Sequence, residues 1–295
     1  MSSSEPRLDR RANRRALWRK VHLWLALLAG WVFALLGASG AALVLRAPLL
    51  KWEVGEAALT LRVPPTPAVL LASPEQWKQA AMQAYPQFAR ILGAAPPRAG
   101  FLTSDNALVF GPVQGRRAMG IAMIDPYSAE PRAFFVYDDL WLAKAVALHR
   151  SLLLPPGAGG VAVALCGLVL LASMASGIWL WWPRKASLNA WRAVLWPRLR
   201  GAALWRAWHN ASAGWLLVPL LVITSTGVWL ARPDWFGAGA RSSLKPALSA
   251  LHGELMLGLL GQAVALAAGL VLPLLYVTGL VMWIRTRRRA KLKDM

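Results

Sequence analysis

Four stretches of the chain run almost without charge for longer than a helix inside a soluble core needs. They cover 22–46, 146–183, 208–231 and 251–284, the second being preceded by its own short helical piece. Each is apolar on every face rather than along one stripe, the pattern of a helix surrounded by lipid. The first, at about 25 residues or roughly 37 Å, can cross a bilayer with some tilt. Residues 47–145 change character, because prolines 64, 65, 67, 74, 86, 96, 97, 112, 126 and 131 interrupt a mixture of polar and apolar positions. Ser73-Pro74-Glu75 predicts a helix start, with the helix running through Arg90. Alternating stretches predict strands at Gly100–Thr103, Ala107–Phe110, Ala118–Ile124 and Arg132–Tyr137, with a turn at Asp125-Pro126-Tyr127-Ser128. Asp138–Leu154 reads as a helix stopped by Pro155-Pro156-Gly157. The pattern predicts an all-α membrane protein, a four-transmembrane-helix bundle with a small α+β insertion between helices 1 and 2.

Charge gives these spans a direction. The net charge is +20, and 57% of the 295 residues are hydrophobic. Residues 1–21, 183–208 and 285–295 hold seven, six and six basic residues against three acidic ones, Glu5, Asp9 and Asp294. Residues 46–150 hold eleven basic and eight acidic, and 231–254 three and two. The positive-inside rule then places the tails 1–21 and 285–295 and the amphipathic loop 184–207 in the cytoplasm, with domain 47–145 and loop 232–250 outside. Tryptophans 18, 24, 181, 182, 205, 208 and 283 fall near the inner boundary, as an aromatic belt does. Net positive charge concentrated in such flanks speaks for a membrane surface, not for nucleic acid. The start resembles a signal peptide, but 22–46 is too long for an h-region and reads as an uncleaved span. Cys166 is the sole cysteine, which excludes a disulfide framework and C-x-x-C-H haem attachment.

The only four histidines, His22, His149, His209 and His252, each stand at or just before the start of one span. Gly40 of Ser39-Gly40 follows His22 by 18 residues, and Gly227 of Thr226-Gly227 follows His209 by 18. Gly177 of Ser176-Gly177 follows His149 by 28, and Gly279 of Thr278-Gly279 follows His252 by 27, placing the Thr278-Gly279 pair at the inner level. Two related helix pairs follow, with His22 and His209 at the inner level and His149 and His252 at the outer. Two histidines from different helices at one level can hold a b-type haem by both axial positions. Glycines 30, 37, 40, 214, 227, 261 and 269, with Ser39, suit close approach to a flat macrocycle or close helix packing equally. The plain alternative is that the histidines cap their spans. Zinc is poorly served by two histidines alone, while Glu254 or Met256 could modify the outer site.

R-x-x-H ahead of the first and third spans, LHRSLLL, SGIWLWWPR, LHGELMLGLLGQ and TGLVMWIRTRR resemble the PepSY-associated transmembrane helix family of bacterial inner-membrane proteins. Ile124-Asp125-Pro126-Tyr127-Ser128 resembles the PepSY-domain turn, with Ala129 where that turn usually has glycine. The resemblance implies two haem b groups and reduction of a ferric siderophore or other ferric chelate at the periplasmic face. On this reading His22 and His209 ligate the inner haem iron and His149 and His252 the outer. Arg19, Arg206, Arg150 and Arg241 are candidates for the propionates, and Arg232, Trp235, Phe236, Arg241 and Lys245 for the acceptor. With no dinucleotide fingerprint present, electrons would come from a cytosolic flavin or flavoprotein or from membrane quinol. The other classes are a haem-free PepSY-type sensor or regulator and a quinol-linked cytochrome b subunit without an iron substrate.

Overall fold

Three helices are long and apolar enough to cross a bilayer, Asn13–Val44, Ala158–Trp181 and Gly258–Arg288. A bent pair, Leu204–Trp215 with Leu217–Ala231, adds a fourth if it forms one span. The chain is thus a mostly helical, multi-pass membrane protein that also carries a small antiparallel sheet. The computed structural model describes residues 5–61, 70–99, 101–155, 157–183, 187–196, 204–237 and 243–293. It divides into two compact units, Met1–Val44 with Ala147–Met295, and Leu45–Val146. In chain order the first helices are α1 (Glu5–Val44), α2 (Arg46–Val54), α3 (Glu56–Leu59) and α4 (Pro74–Ala84). Strands β1 (Gly93–Ala95), β2 (Ala107–Pro112), β3 (Met119–Ile124) and β4 (Pro131–Val136) follow. Then come α5 (Trp141–Ser151), α6 (Ala158–Trp181), α7 (Leu188–Leu195) and α8 (Leu204–Trp215). Last are α9 (Leu217–Ala231), α10 (Leu244–Glu254) and α11 (Gly258–Lys293).

In the apolar unit α1 packs on α6 and α11, α9 on α6 and α10, and α8 on α11. The α1–α11 crossing is close because both helices present glycine there. A Cβ on Gly37 would meet the Gly269 carbonyl at 2.4 Å, and one on Gly269 would meet the Gly37 carbonyl at 2.7 Å. Small residues are what allow such approach between apolar helices. The basic segment before the first span is helical from Glu5 and continuous with it.

Two predicted spans are broken. Between α8 and α9 the axis bends by 64°. Pro219 has no N–H for the Trp215 carbonyl and its ring crowds that group; the ladder resumes where Leu220 N–H donates to Leu216 at 2.9 Å. The run predicted as one helix over 251–284 is two, because α10 stops at Glu254 and α11 starts at Gly258. Leu255 and Met256 take φ of 50° and 57°. Leu152 and Leu153, after α5, do the same at 52° and 60°. Both pairs stand three and four residues after a histidine, and the second residue of each pair donates back to the helix, Leu153 to Ala147 at 3.2 Å and Met256 to Ala250 at 3.5 Å. Left-handed backbone costs a non-glycine residue about 1–2 kcal/mol, so a pair repeated at the same offset is a feature the surroundings hold in place.

The second unit is a four-stranded antiparallel sheet in the order β1-β2-β3-β4, with α4 packed on β1, β2, β3 and β4. Trp77 and Ala81 from α4 meet Phe88, Ala107, Val109, Ala122 and Ile124 in its core. A capping box starts α4: Ser73 Oγ accepts from Gln76 N–H at 3.3 Å, and Ser73 N–H donates to Gln76 Oε1 at 2.7 Å. The helix predicted through Arg90 ends at Ala84, because Pro86 disfavours helical backbone at Tyr85. Residues 101–103, predicted as strand, are bends and coil, and the first strand is instead Gly93–Ala95. Glu53 accepts from the N–H groups of Trp141 and Leu142 at the start of α5, where a carboxylate suits the helix dipole. Arg116 binds both oxygens of Asp139, at 3.0 and 2.7 Å, and that hydrogen bonding holds the carboxyl below its ordinary range. The pairing is therefore present above the ordinary aspartate titration and lost as pH falls through the lowered one.

In the turn after β3, Asp125 Oδ1 accepts from Tyr127 N–H at 3.0 Å and Ser128 N–H at 3.1 Å. The turn closes with Ala129 at φ 58°, a conformation glycine adopts without a Cβ clash. Ala129→Gly should stabilise this unit by about 0.5–1 kcal/mol, measured as slower native-state hydrogen exchange at α4 and β3 amides; faster exchange would show the turn is not strained.

Candidate functional site

A helix carbonyl already bonded along the ladder still has a second lone pair, but the side chain four residues later lies over it. Glycine at that position uncovers the carbonyl. The four Ser/Thr-Gly pairs do this, and a histidine from another helix enters each opening. On α6, His22 Nδ1 lies 3.1 Å from the Ser173 carbonyl and 2.9 Å from Ser176 Oγ. On α1, His149 Nδ1 lies 3.0 Å from the Leu36 carbonyl and 3.4 Å from Ser39 Oγ. On α9, His252 Nδ1 lies 2.9 Å from the Ile223 carbonyl and 3.2 Å from Thr226 Oγ1. On α11, His209 Nδ1 lies 2.9 Å from Thr278 Oγ1 and faces the Leu275 carbonyl. In every case the carbonyl belongs to the residue four before the glycine.

The hydroxyls complete each socket. Ser39 Oγ donates to Leu35 at 2.7 Å, Thr226 Oγ1 to Val222 at 2.7 Å, Thr278 Oγ1 to Leu274 at 2.8 Å and Ser176 Oγ to Ser173 at 2.7 Å. With their protons committed, they too face Nδ1 as acceptors. A carbonyl can only accept, so Nδ1 carries the proton and Nε2 keeps its lone pair. Among the described residues no hydrogen bond is recorded at any of the four Nε2 atoms.

The rings meet in twos. His22 and His209 have centroids 6.3 Å apart with planes at 87°, and His149 and His252 are 6.0 Å apart at 51°. His22 and Ser39 are 17 residues apart on α1, so the two pairs stand about 25 Å apart along that helix, close to the thickness of a bilayer core of about 30 Å.

The other candidates are scattered. Arg19, Arg206, Arg150 and Lys245 are exposed. Arg232 is held by both carboxylate oxygens of Asp234 and lies 5.4 Å over Trp235; that hydrogen bonding lowers the Asp234 carboxyl. Trp235 and Phe236 are exposed, and Arg241 lies outside the described residues. Glu254 accepts from Gln262 at 3.1 Å, and Met256 is exposed at the helix break. Among the described residues no three His, Cys, Asp or Glu side chains gather as a metal cluster. Arg15 was not singled out by the motifs; its guanidinium donates to the Trp182 carbonyl at 3.1 Å at the end of α6.

Residues 19–248 match the family of the PepSY-associated TM region. The chain belongs to the PepSY-associated transmembrane family. Comparison with curated proteins gave no match. Within this PepSY-associated chain, the matched stretch contains His22, His149 and His209 with three of the Ser/Thr-Gly sockets, and stops just short of His252.

The sockets differ in tightness, which ranks four otherwise identical substitutions. A Cβ would lie 2.8 Å from His149 Cε1 at Gly40, 3.0 Å from His252 at Gly227, 3.2 Å from His22 at Gly177 and 3.7 Å from His209 at Gly279. Gly40→Ala should cost about 1–3 kcal/mol by overpacking, and Gly279→Ala should stay within about 0.5 kcal/mol. Thermal unfolding of the purified protein in detergent reads the order, and equal effects at all four positions would contradict it.

Proposed function

We propose that this protein is a four-helix, di-haem b electron carrier of a bacterial inner membrane, taking electrons from the cytoplasmic side to an extracytoplasmic acceptor, a ferric siderophore or other ferric chelate. Two haem b groups would be held, one by His22 and His209 and one by His149 and His252. The observation that carries this reading is the fourfold socket, which fixes each ring through Nδ1 and leaves Nε2 able to bind a metal.

The residues suit such a group on separate grounds. Two metal–imidazole bonds of about 2.0 Å set ring centroids about 6 Å apart, near the separations of 6.3 and 6.0 Å. Edge-to-face ring packing also falls in that range, so the distance counts only together with the fixed tautomer. Four lone-pair nitrogens on two ring pairs, with no cluster of three His, Cys, Asp or Glu among the described residues, suit bis-imidazole ligation better than zinc. Once bound, haem supplies reversible one-electron transfer. The chain's own part is to orient the imidazoles through the carbonyls of Ser173, Leu36 and Ile223 and the Thr278 hydroxyl, to hold the sites about 25 Å apart, and to exclude water with apolar helices. The cation-rich flanks 1–21, 183–208 and 285–295 would attract an anionic flavin or an acidic flavoprotein, with quinol the competing donor.

Oxidised and dithionite-reduced spectra of the purified protein should show two b-type haems per chain. His22→Ala and His209→Ala should remove one and the same haem, and His149→Ala and His252→Ala the other. Absence of a Soret band after haem-replete expression would sink the proposal and leave the sensor reading. Reoxidation faster by quinones than by ferric chelates would instead favour the quinol-linked subunit.

A further inference from the structure

The end of α6 carries a polar group with nothing to bond. Trp181 Nε1 is buried and has no hydrogen-bond partner among the described residues. An indole N–H can only donate, and leaving it dry and unpaired is costly enough that native structures rarely do so. The ring is pinned: a Cβ on Gly214 of α8 would lie 2.8 Å from Trp181 Cζ2 and 3.3 Å from Cε2, the atom next to the N–H. Trp191 packs against it with centroids 5.2 Å apart.

Its neighbours tie it to the first histidine pair. Trp181 is one helical turn beyond Gly177, where the His22 ring sits. Gly214 is five residues beyond His209 on α8. Arg15, two turns before His22 on the same face of α1, reaches this helix end too, donating to Trp182 O at 3.1 Å and toward Leu180 O at 3.5 Å. Two carbonyl contacts leave a guanidinium with donors to spare. A cation and an unsatisfied N–H thus both stand at the end of α6, about one turn past the His22 socket.

We infer that Trp181 and Arg15 receive a carboxylate carried by the group that His22 and His209 hold. The inference rests on the haem reading and names the two side chains that would bind a propionate. Arg19 and Arg206 are solvent-exposed, and so are weaker partners for a carboxylate at a partly buried site.

The test uses the full chain in detergent in a His252→Ala background, so that only the first site fills. The stripped protein is titrated with protohaem and with its dimethyl ester, which has no carboxylate, and binding is read from Soret absorbance. Protohaem should bind about tenfold or more tighter than the ester. Trp181→Phe should weaken protohaem about tenfold and leave the ester unchanged, and Arg15→Gln should act in the same direction. Equal weakening of both ligands, or no change in either, would overturn the inference while leaving the haem reading intact. Failure of the unsubstituted site to take up either ligand would overturn the reading beneath it.

Discussion

The apolar unit is organised by one socket made four times: an imidazole Nδ1 set against a helix hydroxyl and the carbonyl that a glycine uncovers beside it. An imidazole at the membrane boundary needs such a partner, because a polar group without one is costly in apolar surroundings. Each bond also joins two elements. His22 ties α1 to α6, His149 ties α5 to α1, His252 ties α10 to α9 and His209 ties α8 to α11. The sockets therefore fix helix register as well as ring orientation. A slip by one residue would bring a side chain, rather than glycine, against the incoming ring.

Helix breaks accompany two of the four sockets. On α5 and α10 the chain stops within a turn of the histidine, passes through two left-handed residues and restarts as α6 and α11. Leu152-Leu153 and Leu255-Met256 occupy these positions without glycine. Such backbone persists only where the fold determines it, and it tends to cluster at functional sites. In the other half of the repeat, His22 stays within the unbroken α1, while the bend that Pro219 imposes after His209 divides α8 from α9.

Much of this was legible in the residues, for identifiable reasons. Spans show themselves by unbroken apolarity, and the Ser/Thr-Gly pairs by equal offsets from histidine. The resemblance to the PepSY-associated family rests on those same motifs. What periodicity could not carry was the interruption of 251–284, since Leu255-Met256-Leu257 contains no residue that favours left-handed backbone except the following Gly258. The end of α4 was readable from Pro86 and was overrun because amphipathic spacing continues past it. The small strand Gly93–Ala95 has no β-branched residue to mark it. By sequence the glycines suit room for a macrocycle or for helix packing equally. Their role as uncovered carbonyls needs the partner histidine's position in space, which offsets along one chain do not supply. By sequence Trp181 is one of several belt tryptophans, and only its N–H, without an acceptor among the described residues, sets it apart.

On the proposed haem reading, electron paramagnetic resonance of the haem-loaded ferric protein tests the histidine pairing most directly, because low-spin spectra report the number of imidazole ligands and the angle between their planes. With ring planes at 87° for His22 and His209 and 51° for His149 and His252, two low-spin bis-imidazole species are expected. The more anisotropic of them should disappear on substituting either His22 or His209. A high-spin ferric signal at either site, or a single low-spin species at one haem per chain, would contradict the pairing.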